Sequence, residues 1–261
     1  MLLSNEESVA VTELRKRLDT FYNSETTYAA FQRASDMPER WAYVREAILR
    51  MAGSGRKIRV LEIGAGRTGF AAAVKDMRQL FHFTAQDVTN ANEEYLREQA
   101  DAVHIGSIME MEGAYDIIFS TFVFEHVSEP RRTLDKLFDL LNEHGQLFIF
   151  CPRYDFPFYL SHSADHYSPR TRAWLRLILF WRRLCSLVSG RPLFLIHIDP
   201  AVFHSEWRMD RDAIHWASLS DIKLHFRGRA RISCLKIPSP DWRDRIIKNV
   251  LQINVCIEKN P

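Results

Sequence analysis

Val60-Leu61-Glu62-Ile63-Gly64-Ala65-Gly66-Arg67-Thr68-Gly69-Phe70 is the stretch on which the fold turns. An apolar strand runs into closely spaced glycines, and a helix opens immediately after them. Glycine permits the sharp turn and lets a ligand approach the main chain with no Cβ in the way. The first N–H groups of the helix that follows have no partner inside it and can face such a ligand. Gly64, Gly66 and Gly69 fit the GxGxxG spacing of a dinucleotide fingerprint. Glu62 argues against that ligand, because a carboxylate two residues before the first glycine would repel a pyrophosphate. It could instead accept hydrogen bonds from an ammonium group. Asp87, 21 residues after Gly66, ends the next apolar run, where a carboxylate suits a ribose diol in either ligand class. No Lys-Ser or Lys-Thr follows the loop, so the P-loop pattern is absent. A tight strand–helix turn without a ligand is the bland alternative.

Outward from this loop, strands and helices alternate. Ile58 to Ile63, Phe81 to Ala85, Ala102 to Ile105, Tyr115 to Ser120 and Gln146 to Cys151 read as strands. Phe70 to Met77, Ala91 to Gln99 and Pro130 to Leu141 read as helices, the last with Leu134, Leu137, Leu140 and Leu141 on one face. Such alternation predicts a mostly parallel sheet covered on both faces. Before it, Val9 to Tyr22 and Met37 to Met51 read as helices, the second started by Pro38 and stopped by Gly53-Ser54-Gly55. After Pro152 the alternation lapses for about 65 residues before a helix at Ser218 to Phe226. Strands at Ala230 to Ile237 and Gln252 to Glu258 follow, around a short helix at Trp242 to Lys248. The expected organisation is an N-terminal helical lid over residues 1–55 and one α/β domain over 56–261. That domain carries a substrate-side insertion at about 153–215.

The chain has 261 residues and a net charge of +2, which excludes a strongly nucleic-acid-binding composition. The charge is unevenly spread: residues 167–248 hold 16 basic and seven acidic side chains, and the remainder is net acidic. Cys151, Cys185, Cys234 and Cys256 are far apart, form no CxxC pair, and read as buried reduced thiols. The beginning of the chain has no basic segment followed by an apolar run. No apolar stretch approaches the ~20 residues of a membrane-spanning helix. A cytoplasmic protein is expected, with membrane association left open.

Three further segments join the glycine loop. Gly106-Ser107-Ile108 follows the third strand. Tyr115-Asp116-Ile117-Ile118-Phe119-Ser120-Thr121-Phe122-Val123-Phe124-Glu125-His126-Val127 forms the fourth strand and a Glu-His-Val turn. Leu141-Asn142-Glu143-His144-Gly145-Gln146-Leu147 leads into the fifth. Together these resemble the class I S-adenosylmethionine-dependent methyltransferases, in the group of small-molecule methylases. The resemblance covers roughly Arg56 to Pro152 and extends weakly to Asp212-Ala213-Ile214-His215-Trp216. Two departures stand out: Arg67-Thr68-Gly69 places the third glycine one position late, and Ser107 stands where the family usually has Asp. The resemblance implies a Rossmann-like seven-stranded sheet in the order 3-2-1-4-5-7-6 with the last strand antiparallel. It also implies S-adenosylmethionine as cofactor. By position, Glu62, Gly64, Ala65, Gly66 and Asp87 would hold it, with Ser107 and Ile108 at the adenine edge. Ser120 and Thr121 would lie near the methionyl end.

Methyl transfer from a sulfonium needs an acceptor held in line, exclusion of water and sometimes a base. His126 lies beyond the fourth strand, where Glu125 and His126 could equally brace the next helix. His162 and His166 flank Ser163-Ala164-Asp165 in the insertion, over the crevice expected at the strand ends. Their spacing of four would suit a metal if helical, but Pro169 and the want of a third ligand lead us to expect none. Tyr154, Asp165 and Tyr167 are candidate acceptor contacts. Thr171 to Val188 reads as a helix whose Trp174, Ile178, Trp181, Cys185 and Val188 form a packed face or one side of a homodimer. Arg172, Arg176, Arg182 and Arg183 could instead let residues 171–188 lie on an anionic membrane. The expected reaction is methyl transfer to a small-molecule or lipid-like acceptor, at oxygen, with no nucleic acid as partner. The alternatives are a non-catalytic binding protein of the same fold and a nicotinamide-dinucleotide-dependent reductase.

Overall fold

The strand runs read above become β2 (Ile58–Ile63), β3 (Phe81–Asp87), β4 (Ala102–Ile105), β5 (Tyr115–Thr121), β6 (Leu141–Pro152), β8 (Ala230–Cys234) and β9 (Gln252–Lys259), with two-residue strands β1 (Leu2–Leu3) and β7 (Ile196–His197) beside them. The helices are α1 (Val9–Ser24), α2 (Pro38–Met51), α3 (Phe70–Ala73), α4 (Glu93–Gln99), α5 (Pro130–Asp139), α6 (Pro169–Ser189), α7 (Leu219–His225) and α8 (Trp242–Val250). This computed structural model describes residues 2–3, 9–24, 37–54, 56–156 and 159–259. Residues 1, 4–8 and 25–36 of the expected N-terminal extension lie outside the described residues, as does Gly55 at the expected end of the second helix.

The large sheet is ordered β4-β3-β2-β5-β6-β9-β8. β2 to β6 pair in parallel, and β9 runs antiparallel to both β6 and β8. Counted within the sheet this is the expected order 3-2-1-4-5-7-6 with the last strand reversed. Side chains alternate across a strand, and β2 shows the result. Ile58 and Val60 point to the face covered by Trp41, Val44 and Ile48 of α2 and by Phe70 of α3. Leu61 and Ile63 point to the face covered by Leu134 and Leu137 of α5 and Ile222 of α7. Phe70 anchors the first face, with its ring centroid 4.6 Å from Phe119 and 5.3 Å from Phe83. Truncating such a ring to Ala costs about 3–5 kcal/mol.

The insertion builds its own small core from Tyr154, Leu160, Ala164, Leu179, Leu195, Ala213 and Trp216. Val11, Leu14 and Leu18 of α1 pack on Ile196 and Ile214, and β1 pairs antiparallel with β7 through Leu2 and His197. The first helix therefore lies on the insertion, while α2 belongs to the sheet.

Several expectations are corrected. The outward face of α6 is the reverse of the one expected. Trp174, Trp181 and Val188 are 63%, 61% and 82% exposed, whereas Leu179, Arg183 and Ser186 point inward. The reason is polar: Asp221, wholly buried, takes the Arg183 guanidinium and fixes which side faces in. The helix from Phe70 is shorter, because 3-10 turns at Lys75–Leu80, kinked at Met77, carry the chain to Phe81. These turns rise more per residue than an α-helix. β8 stops at Cys234, since the Ile237 backbone N–H and carbonyl are both taken by the Asn249 side chain, 2.8 and 2.9 Å away. β6 begins at Leu141, with an irregular register between Tyr115 and Ile117 of β5. All four cysteines are free, but only Cys151 and Cys256 are buried; Cys185 and Cys234 are exposed.

Candidate functional site

The chain leaves β2 on one side for β3 and returns on the other as β5, so the carboxyl ends of β2, β3 and β5 meet at a topological switch point. Ligands of open α/β sheets bind in that crevice. The glycine loop sits there. Gly64 and Gly66 have φ of +63° and +51°, a region that L side chains rarely adopt. A Cβ on Gly64 would fall 2.4 Å from Val123 Cγ2, so this glycine is also required by the close approach of the loop after β5. A Cβ on Gly66 would meet nothing within 4 Å, which leaves the open side of the loop as a cradle.

The next strand holds the loop in place. Gly66 N–H donates to Asp87 Oδ2 at 2.8 Å, and Thr89 N–H to Oδ1 at 3.0 Å. Burial raises the Asp87 pKa, and these backbone donors oppose it. Gln86, not foreseen from sequence, accepts from Gly64 N–H at 3.2 Å and donates to the Gly106 carbonyl at 2.7 Å. The loops after β2 and β4 are thus tied through one amide. Ser107 accepts from Met109 N–H and so caps the short turn Ile108–Glu110.

Glu62 lies beneath the loop. Thr68 Oγ1 donates to its Oε1 at 3.0 Å, while Oε2 is buried without a hydrogen-bond partner among the described residues. Burial pushes its pKa up to about 8, against the Thr68 hydrogen bond. Thr68, which occupies the place of the expected third glycine, also accepts from Phe70 N–H at 3.1 Å and starts α3. Its carbonyl accepts from Tyr95 Oη at 2.6 Å. The late glycine therefore leaves the turn well built. Gly69 itself has φ of −93° and needs no special freedom.

At the end of β5, Ser120 is buried and the Thr121 hydroxyl is buried without a partner. Phe122 follows at φ +56° and gives its N–H to the Phe150 carbonyl at 2.7 Å. The turn Phe124–His126 then brings in a second acidic group. Glu125 is wholly buried with neither oxygen hydrogen-bonded among the described residues, and burial pushes its pKa up to about 8. His126 Nδ1 stands 3.6 Å from Asp212 Oδ2, and Nε2 stands 3.9 Å from Glu125 Oε1. Burial would lower the His126 pKa, but the Asp212 and Glu125 carboxyls outweigh it and raise it. Tyr22 of α1 donates to the other side of this cluster, at 2.9 Å from Asp212 Oδ2. His215 is buried with Nδ1 3.1 Å from the Phe124 carbonyl, and burial drives its pKa down to about 3. Neutral, with Nδ1–H donating to that carbonyl, it keeps an Nε2 with no partner among the described residues. Glu125, Asp212 and His215 as a unit were not anticipated. The sequence signal was the weakly recognised run Asp212-Ala213-Ile214-His215-Trp216, whose backbone at Ile214 and His215 donates to the Glu125 carbonyl at 2.9 and 2.8 Å.

The remaining candidates separate. Tyr154 is buried, its ring stacked 5.8 Å from Tyr159. His162 Nδ1 is 3.1 Å from Asp165 Oδ2, and Arg172 reaches Asp165 Oδ1 at 3.7 Å. Tyr167 Oη lies 3.2 Å from His197 Nε2. His166 does not meet His162; it gathers with Asp199 and His204, whose Nε2 is 2.8 Å from Asp199 Oδ1.

A family model described as a methyltransferase domain matches residues 33–224. No curated protein matches the chain in sequence. Among solved structures, the plantazolicin methyltransferase BpumL, in complex with a triazolic desmethylPZN analog and SAH, is 14% identical with a TM-score of 0.54. The match covers 96% of this chain and 98% of that one. The Burkholderia thailandensis 1,6-didemethyltoxoflavin-N1-methyltransferase is 12% identical with a TM-score of 0.51, over 99% and 92% of the two chains. The CurJ carbon methyltransferase is 13% identical with a TM-score of 0.51, over 98% of this chain and 62% of its own.

Proposed function

Since the chain belongs to the class I S-adenosylmethionine-dependent methyltransferases, we propose that it methylates a small-molecule or lipid-like acceptor, at oxygen, in the crevice above β2, β3 and β5. The observation that carries this reading is the pairing of an open glycine cradle with two carboxyls, Glu62 and Asp87, at the switch point. The orphaned Glu62 oxygen suits an ammonium group, and the carboxylate at the end of β3 suits a ribose diol. Ala65, Ser107 and Ile108 border the same loops, and Ser120 and Thr121 border the end of β5. S-adenosylmethionine supplies the electrophilic methyl group. Relatives of this fold include enzymes named for nitrogen and carbon acceptors, so oxygen rests on this chain's own groups.

His126 is the base best supported, because two carboxyls raise its proton affinity and it follows β5 directly. His162 and His166 sit in the insertion with Asp165, Tyr154 and Tyr167 and would position the acceptor. Within this reading, α1 is the part of the N-terminal extension that covers the site, its Tyr22 reaching Asp212, while α2 packs on the sheet. The insertion at 153–215 forms the acceptor wall. No helix among the described residues is long and apolar enough to cross a membrane, and we place the protein in the cytoplasm.

The decisive experiment titrates S-adenosylmethionine against wild type, Glu62→Ala and Asp87→Ala. A labelled methyl donor is then incubated with cell extract and lipid extract, and the product is identified by mass spectrometry. Absence of binding to wild type sinks the enzyme reading, and nicotinamide cofactor binding would replace it with a reductase. Unchanged product formation after joint substitution of Tyr154, His162 and His166 would remove the insertion from the acceptor site.

A further inference from the structure

We propose that α6 is a membrane-docking helix that lays its exposed aromatic face on an anionic lipid surface. The inference goes beyond methyl transfer and does not need it. α6 is 21 residues long and contains five arginines and no Asp or Glu. Its buried residues are Leu179, Arg183 and Ser186, a single narrow line at spacings of four and three. Trp174, Leu177, Phe180, Trp181, Leu184 and Leu187 are all exposed. At 3.6 residues per turn these positions share roughly 140° of the circumference, one continuous stripe along the helix. Single exposed apolar residues are ordinary, but a contiguous stripe of large ones marks an interaction surface.

The charges choose the partner. Arg183 is neutralised by Asp221 in the interior. On the same helical projection Arg176 lies at the edge of the stripe, and Arg170 falls within it at its amino-terminal end. Arg191 and Arg227 are exposed at the other end, with an Arg227 Nη1 3.2 Å from where a Cβ on Gly190 would stand. A second copy of this helix would oppose arginine to arginine, with no acidic side chain on α6 to pair them. An anionic headgroup layer supplies the opposite charge, and each basic residue near such a surface adds about fivefold to affinity. Tryptophan and phenylalanine settle at headgroup depth, where an apolar ring can be buried beside polar groups. Since the helix is not apolar enough to cross a bilayer, it lies in the interface plane.

The test uses the full chain and two vesicle preparations, phosphatidylcholine alone and phosphatidylcholine mixed with phosphatidylglycerol. Wild type is expected to sediment with the mixed vesicles, with tryptophan emission shifted to the blue, and to be released by added salt. Trp174→Ala with Trp181→Ala should weaken partitioning by about tenfold or more, since two large rings leave the interface. Trp242→Ala, an exposed ring on α8, should not. Both outer tryptophans are exposed, so circular dichroism and thermal unfolding should match wild type. No sedimentation, equal sedimentation with both vesicles, or no effect of the double substitution would each overturn the proposal. So would a wild-type dimer that the double substitution turns into a monomer. S-adenosylmethionine titration without vesicles reports separately on the methyltransferase reading.

Discussion

The two walls of the crevice are built on opposite principles. On the cofactor side, the loop glycines, Gln86 and Asp87 satisfy one another across β2, β3 and β4, largely through backbone N–H and carbonyl groups. Two of these bonds are accepted by the Asp87 carboxylate and two are made by the Gln86 amide, and together they fix the shape of the loop. On the other side, at the turn after β5 and the run 212–216, Glu125 and His215 Nε2 are buried with no hydrogen-bond partner among the described residues. Buried polar groups left unpaired are costly, so this wall keeps its polar capacity for something else. The glycine-loop side keeps an unpaired group of its own in Glu62 Oε2, so the two walls differ in how much of their polar capacity is already paired.

Breaking the first wall should have the larger effect. Gly64→Ala places a methyl group against Val123 at positive φ. It should cost about 2–5 kcal/mol from strain and overpacking, measured by urea unfolding, and abolish S-adenosylmethionine binding. Unaltered stability would mean that the two loops are not closely packed. Asp87→Ala removes the acceptor for the Gly66 and Thr89 amides. It should lower S-adenosylmethionine affinity by roughly 10- to 100-fold by titration calorimetry, given the strength of hydrogen bonds to charged groups. Equal affinity would show the loop to be self-supporting.

The acceptor wall should respond to pH. Glu125 has a pKa of about 8 against an ordinary 4.5, so the folded chain binds a proton that the unfolded chain releases between these values. That contribution to stability is complete below pH 4.5 and fades as pH rises through about 8. Glu125→Gln should flatten the decline and be more stable than wild type above about pH 8, in urea unfolding repeated across the range. A steeper decline in the variant would contradict a protonated Glu125. The acceptor KM should rise in the variant if the carboxyl meets the acceptor, with S-adenosylmethionine binding unchanged.

What could be read from the sequence follows the same division. The glycine loop, Glu62 and Asp87 were legible because strand, turn and helix signals there are local and in register. Gln86 was not, because only the pairing of Ile63 with Gln86 brings its side chain under Gly64. His126 meets Asp212 across 86 residues, and His166 meets Asp199 and His204 rather than its sequence neighbour His162. No spacing rule contains such pairs. The orientation of α6 failed for a different reason. Apolar periodicity was taken to mark the buried face, whereas one ion pair between Arg183 and Asp221, 38 residues apart, sets it.

Ser218 caps α7 by accepting from the Asp221 N–H, and the Asp221 carboxylate receives the amides of Leu193 and Phe194 as well as Arg183. Mechanically it is a pin joint. The long helix, the chain leaving it and the first turn of a sheet helix all converge on one side chain. A load applied along α6 enters α7 at this point, on the sheet face opposite the glycine loop's helix.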